Sequence, residues 1–390
     1  MHLGRRTQPV AHAQSRPEPR TRRRRAALAV AAVVPLAVGA LAWGGANGPA
    51  TVAEAATAPP PVRHVFVVNL ENKGYDETFG PASVAPYLSR TLRGKGQLLT
   101  QYYGTAHNSL PNYVAQVSGQ GPDAQTQGDC QYYTDFTQTG TVAPGQAVGN
   151  GCVYPASVKT VADQLQAKHL TWRGYMQDMG TGCRHPQLNA ADGTQKAKVG
   201  DQYAARHNPF VYFHSIIDSA SCASHDVDLS KLTHDLASTT TTRNLSYITP
   251  NLCNDGHDSP CVDGRPGGLK SADSWLRTWI PKILASPAYR ANGLLVVTFD
   301  EAETGTSDGA DACCNEGPGP NAPLPGIYGK GGGRTGAVLI SPFITPGTIN
   351  NTAYNHYSLL RTIENTFGLA PLGYAADARG LGFDVWGAGR

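Results

Sequence analysis

The stretch "HVFVVNLENKGYDETFG", His64–Gly80, decides the fold. Its opening run, HVFVVNL, is largely apolar without the alternation of a half-wet strand, so it predicts a strand buried on both faces. Such a strand belongs to a mostly parallel sheet covered by helices, and sheets of that kind carry their ligands beyond the carboxyl ends of their strands. At that end the run empties onto Glu71 and Asn72, a carboxylate and an amide oxygen. A second run of the same character, "GLLVVTF", empties onto Asp300 and Glu301. Each acidic pair alone could merely cap a following helix. Together they bring three carboxylates and an amide to one rim, a cluster that would repel itself without a cation, and this predicts one divalent metal ion.

The rest of the chain repeats the alternation. "GQLLTQYYG", "LTWRGYMQD", "LSYITP" and "TGAVLISPF" are strand-like. Between and after them, residues 83–92, "SLPNYVAQVSG", "SVKTVADQLQAKH", "SADSWLRTWIPKILAS" and "HYSLLRTIENTFG" read as helices, the last ended by Gly368. The class is therefore α/β, with a mostly parallel central sheet between helical layers. The 390 residues suit one catalytic domain from residue 64 to 390, preceded by a Pro-rich tether at 56–63. Residues 317–336, rich in Gly and Pro, read as a long loop.

Residues 1–55 read as a signal peptide, with a basic segment, an Ala/Val/Leu-rich segment, and small residues at Ala53 and Ala55. A retained anchor is the alternative, and Pro35 and the Ala and Gly content argue against it. The expectation is a secreted or cell-envelope protein with no stable membrane insertion after cleavage. The whole chain has 32 Lys and Arg against 29 Asp and Glu, of which residues 1–55 hold eight and two, leaving 24 against 27, or −3. No basic stripe remains, so nucleic acid is not an expected partner. Eight cysteines in an exported chain predict disulfides, paired locally as Cys130–Cys152, Cys183–Cys222 and Cys253–Cys261, while the neighbours Cys313 and Cys314 could pair with each other only as a strained vicinal bridge; a zinc site is the alternative, and the lack of any C-x-x-C spacing argues against it.

Between the two acidic strand ends lies "AHNSLPNYVAQVSG". Ser109 opens a helix there, where backbone N–H groups and the helix dipole favour an anion, and a neighbouring metal would turn its hydroxyl into a nucleophile. His107 and Asn112 flank it as donors to a phosphoryl group. A polar loop, "PNLCNDGHDSPCVDG", adds Asp255, His257 and Asp258 inside the expected Cys253–Cys261 staple. His207 and His356 are further substrate-binding candidates, each with a plainer reading as a helix cap or a core histidine.

These motifs resemble a known family. "LENKGYDETFG" resembles the Glu-Asn-x-x-x-Asp signature of the bacterial phosphoesterase family that holds acid phosphatases and phospholipases C, and "SLPN" resembles its Ser/Thr-x-Pro-Asn nucleophile motif. "TFDEAETG" and "GAVLISPFITPGTINNTAYNHYSLLRTIENTFGLAPLG" are similar to its later signatures. The resemblance, from His64 to about Ala376, implies an alkaline-phosphatase-like three-layer α/β/α sandwich. It also implies a metal held by Glu71, Asn72, Ser109, Asp300 and Glu301, and transient phosphorylation of Ser109. His107 and His257 would then contact the phosphoryl oxygens or protonate the leaving group. Phospholipase C members commonly carry Arg after the Pro-Asn and a His soon after the Asp-Glu. This chain has Tyr113 and no histidine in "DEAETGTSDGADACCNEG". The expected activity is therefore that of a secreted acid phosphatase on phosphate monoesters, phosphorylated lipid headgroups of the phosphatidylinositol-3-phosphatase type included. The alternative is a phospholipase C-type phosphodiesterase.

Overall fold

The computed structural model describes residues 60–386, apart from 315 and 328. The signal-peptide expectation for 1–55, and residues 56–59 of the expected tether, lie outside the described residues. One sheet of eight strands forms the centre: β1 His64–Leu70, β2 Gln97–Leu99, β3 Trp172–Met176, β4 Asp226–Asp228, β5 Leu245–Thr249, β6 Gly293–Phe299, β7 Ala337–Ile340 and β8 Thr348–Asn350. Their spatial order is β8-β2-β7-β6-β1-β5-β3-β4. All run parallel except β7, which is antiparallel to both of its neighbours.

Every residue of β1 and β6 is buried, as their unbroken apolar runs require. Alternate side chains go to opposite faces. Val65, Val67, Leu294 and Val296 pack with Leu110, Val114, Leu360 and Ile363, from helices α1 Ser109–Ser118 and α5 His356–Phe367. Phe66, Val68, Leu295 and Val297 pack with Leu269, Trp275, Leu276 and Ile280 of the long helix Gly268–Ala285. Each such side chain contributes about 2 kcal/mol by leaving water, so the three layers hold one another in place. The expected helix at 83–92 is confined to Tyr87–Leu92, continuing through Lys95. Helix α5 starts on a capping box of Asn355 and Ser358 and ends at Gly368, whose φ of 64° the left-handed turn requires.

The register fixes the site. Leu70 pairs with Phe299, so Glu71 and Asp300 leave the sheet side by side, and the Asp300 N–H donates to the Leu70 carbonyl at 2.9 Å. On the other flank of β1, strand β5 leads into the loop carrying Asp255, whose carbonyl accepts from the Glu71 N–H at 3.0 Å. The three expected local disulfides are present, and Cys313–Cys314 closes as a bridge between neighbours. Residues 302–336 form little regular structure, yet the loop is tied down by Gly332 N–H to Gly104 O at 3.1 Å and by Pro325 O, which accepts from His107 N–H at 3.1 Å. No helix among the described residues is long and apolar enough to cross a membrane.

Candidate active site

Three adjacent strands, β6, β1 and β5, deliver Asp300, Glu71 and the 251–258 loop to one rim, and α1 brings Ser109 against them. Ser109 Oγ donates to Glu71 Oε2 at 2.8 Å, and the Tyr113 hydroxyl, one turn along the helix, donates to Oε1 of the same carboxylate at 2.5 Å. Asn72 N–H donates to Asp300 Oδ1 at 3.1 Å. Glu71, Asn72 and Ser109 border a cavity of about 250 Å³ whose wall also holds Asp129, Arg206 and His257.

Glu71, Asp300 and Asp255 are almost fully buried. Burial raises all three carboxyls well above their ordinary range, and repulsion by neighbouring carboxylates adds to the effect. The oxygens converge further. The side-chain oxygen of Asn72 as oriented lies 2.6 Å from Glu71 Oε2 and 3.2 Å from Asp300 Oδ1; rotated, its NH₂ would donate to both. Asp300 Oδ2 is buried without a hydrogen-bond partner. An all-oxygen set of two carboxylates, an amide oxygen and a serine hydroxyl, with one carboxylate oxygen to spare, fits a hard divalent cation.

The helix N-terminus differs from the expectation of an open anion site. Asn108, at the cap position, makes no capping hydrogen bond with its side chain, and Asp129 from a distant loop takes its place, accepting from Leu110 N–H at 2.9 Å. The Leu110 N–H is therefore already taken, and the cavity's positive groups come from elsewhere. Arg206 is 9% exposed and lines the cavity, with Nε 3.9 Å from Asp129 Oδ2 and Nη1 on the Gln195 carbonyl at 3.0 Å. His257 is held by Asp258 Oδ1 at 3.1 Å, and that hydrogen bond raises its imidazole above the ordinary histidine range. Asp258 itself lines the neighbouring cleft.

Five expected residues stand back from the cavity. Glu301 follows Asp300 just past the end of β6 and lies against His107 Nδ1 instead of the cavity. His107 is buried between Glu301 and the Gly309 carbonyl, 2.8 Å from Nε2, and burial lowers its pKa. Both ends of the Asn112 amide are occupied: Oδ1 accepts from Thr105 and Ala106 N–H at 2.8 and 3.0 Å, and Nδ2 donates to Ala106 and Asn108 carbonyls at 2.7 and 2.9 Å. It shapes the loop before Ser109. His207 lies stacked on Tyr113, 5.3 Å between centroids, with Nε2 3.3 Å from Glu71 Oε1 and Nδ1 3.6 Å from Asp255 Oδ2. Burial lowers its pKa well below the ordinary range. His356 is fully buried behind the rim, Nε2 at 2.5 Å from the Asp300 carbonyl and Nδ1 at 3.1 Å from the Tyr102 hydroxyl, and burial lowers it to about 4. Asp129 and Arg206 are the cavity residues that sequence reading missed. Their one signal was position, beside Cys130 in a stapled loop and beside His207.

A family model described as the phosphoesterase family matches residues 88–370. A phosphatidylinositol-3-phosphatase of Mycobacterium tuberculosis is 27% identical over 96% of this chain and 98% of that protein. A phosphate-repressible acid phosphatase of Penicillium chrysogenum is 28% identical over 76% of this chain and 57% of its own length. The chain thus spans little more than half the length of that fungal relative. Among solved structures, an alkaline phosphatase superfamily protein from Vibrio parahaemolyticus overlaps 83% of this chain and 70% of its own, with 14% identity and a TM-score of 0.46. With its nucleophile motif and acidic strand ends inside or beside the matched span, this chain belongs to the phosphoesterase family.

Proposed function

We propose that the protein is a secreted, metal-dependent phosphomonoesterase that works through a phosphoserine on Ser109. The observation that carries the reading is the Ser109 hydroxyl, hydrogen-bonded at 2.8 Å to Glu71 Oε2 on a rim shared with Asn72 and Asp300. Glu71, Asn72, Ser109 and Asp300 would hold a divalent cation, which, when bound, supplies charge for the developing negative oxygens. Glu301 enters the same reading as a partner of His107 rather than as a ligand.

Ser109 Oγ attacks phosphorus as the bond from phosphorus to the alcohol oxygen breaks. Its proton passes to Glu71 Oε2, the acceptor it already faces. His257, kept protonated by Asp258, gives its proton to the departing alcohol oxygen. Arg206 meets the phosphoryl oxygens with its planar fork of donors. Water then attacks the phosphoserine and gives a proton to His257, while Glu71 returns its proton to Ser109 Oγ as the Ser109–phosphorus bond breaks and phosphate leaves. Three non-bridging oxygens need this many donors; a diester has two. The disulfides support an exported location, and the similarity to acid phosphatases supports the reaction class.

The test measures release of phosphate from p-nitrophenyl phosphate against cleavage of bis-p-nitrophenyl phosphate, in purified parent and in Ser109→Ala. The parent should favour the monoester, be inhibited by vanadate, and lose turnover with the substitution. Residual activity comparable to the parent in the variant, or faster diester cleavage, overturns the reading.

A further inference from the structure

A second cleft, of about 570 Å³, adjoins the Ser109 cavity, and the two share Gln195, Arg206 and His257 in their walls. The second cleft is thus reached from Ser109 past Arg206 and His257. The cleft's charges are unequal. Asp258 is its carboxylate, and it is already engaged by His257 at 3.1 Å. Against it stand Arg206, buried at the junction, and Lys196, exposed at the rim with no ion pair among the described residues.

From this geometry we infer that the second cleft receives the alcohol portion of the substrate and selects an alcohol that carries a negative charge of its own, above all a second phosphate. The inference rests on the phosphomonoesterase reading and adds to it a substrate class and a specificity residue, Lys196. Arg206 can face both anions from the junction, because a guanidinium presents five donors in a fork: one is spent on the Gln195 carbonyl at 3.0 Å and Nε stands 3.9 Å from Asp129 Oδ2, which leaves the others to spare. Lys196 supplies a mobile point charge farther out. The apolar part of the wall is confined to Ala197, Leu252, Pro260 and Val262, without Phe, Tyr or Trp, among six polar or charged residues, so it suits the carbon skeleton of a polyol better than a long hydrocarbon. The second anion can come from a free polyol bisphosphate or from the bridging diester of a phosphoinositide headgroup; the charge pattern is the same.

The experiment compares kcat/KM for a soluble inositol bisphosphate and the matching inositol monophosphate. A parallel arm uses phosphatidylcholine vesicles containing phosphatidylinositol monophosphate. Parent protein should prefer the doubly charged substrate, with the preference shrinking as salt rises. Lys196→Gln should cut that preference about fivefold, the scale of one accessible ion pair, and leave p-nitrophenyl phosphate turnover unchanged. Preference in the soluble arm alone assigns a free bisphosphate, and preference in the vesicle arm a lipid headgroup. Equal rates on the singly and doubly charged substrates in both arms, or an equal loss on every substrate in Lys196→Gln, overturn the inference. Calorimetric binding to Ser109→Ala separates the two claims. If the parent turns over no monoester and this variant still binds the bisphosphate more tightly than the monophosphate, the function falls and the subsite stands. If turnover is present and the two ligands bind alike, the subsite falls and the function stands.

Discussion

Tyr113 and Ser109, one helical turn apart, each donate a hydrogen bond to a different oxygen of the Glu71 carboxylate, at 2.5 and 2.8 Å. The carboxylate is held at both ends, so its orientation toward Asn72 and Asp300 is set before any ligand arrives. Tyr113→Phe keeps the ring stacked on His207 and removes only the donor. A buried hydrogen bond to a charged acceptor is worth about 1.5–3 kcal/mol, so kcat/KM for a monoester should fall about tenfold or more with the fold intact by circular dichroism. Unchanged kinetics would remove Tyr113 from the site's support.

The proposed metal site makes turnover depend on a divalent cation. Dialysis against a chelator should abolish turnover, and readdition of one divalent species should restore it. Asp300→Ala should lower both metal content and rate. Full metal occupancy in that variant, measured by elemental analysis, would show that β1 and β6 do not share a cation.

Arg206 should bind the phosphoryl group through charge-assisted hydrogen bonds, which are about twice as strong as neutral ones. Arg206→Gln is expected to weaken competitive inhibition by inorganic phosphate by more than tenfold, with Arg206→Lys intermediate. Inhibition constants measured at fixed ionic strength check this, and identical constants would exclude the contact.

Stability should decline as pH rises. Burial raises the carboxyls of Asp226 and Glu316 to about 7 and that of Glu364 to about 8. A carboxyl raised in the folded state binds a proton on folding. Its favourable contribution is complete below the unfolded value of about 4 and is lost as pH passes through the folded value. The Tm should therefore be lower at pH 8 than at pH 5. Asp226→Asn, whose amide oxygen can still accept from Asn208 Nδ2, now at 2.7 Å, should flatten the profile. A Tm that rises from pH 5 to 8 would contradict the assignment.

All eight cysteines are paired among the described residues. Cys130–Cys152 and Cys183–Cys222 close loops with separations of 22 and 39, each worth about 3–4 kcal/mol in the chain-entropy model. Reductant should lower the Tm markedly, and thiol titration of the unfolded, unreduced protein should find no free thiol.

The sequence made the long central strands legible because β1 and β6 are buried on both faces and so carry unbroken apolar runs. Strands β4 and β8, three residues each, are too short to show a period, and the reversed direction of β7 depends on the path of the chain, which no local pattern encodes. At the site, Glu71, Asn72, Ser109 and Asp300 meet as their motifs suggested. Glu301 does not join them, because its carboxylate is taken up by His107 behind the rim. Asp129 and Arg206 were hidden because they sit at the end of one short 3₁₀ turn, Thr126–Gly128, and inside another, Ala205–His207, which show no sequence period, and only tertiary packing brings them to Ser109.

Glu71 and Asn72 are also consecutive, yet both reach the same point. The difference is the backbone at Asn72, whose φ of +47° turns the second side chain back toward the first, a conformation that asparagine tolerates better than most residues. One residue therefore satisfies a conformational demand and a chemical one, and the two come apart under substitution. Glycine would preserve the turn and lose the oxygen; aspartate would keep both and add a negative charge to an acidic cluster. A lineage that abandoned catalysis while keeping this fold would be free to drift to glycine at this position, so residue 72 is where a binding-only descendant should first be recognisable.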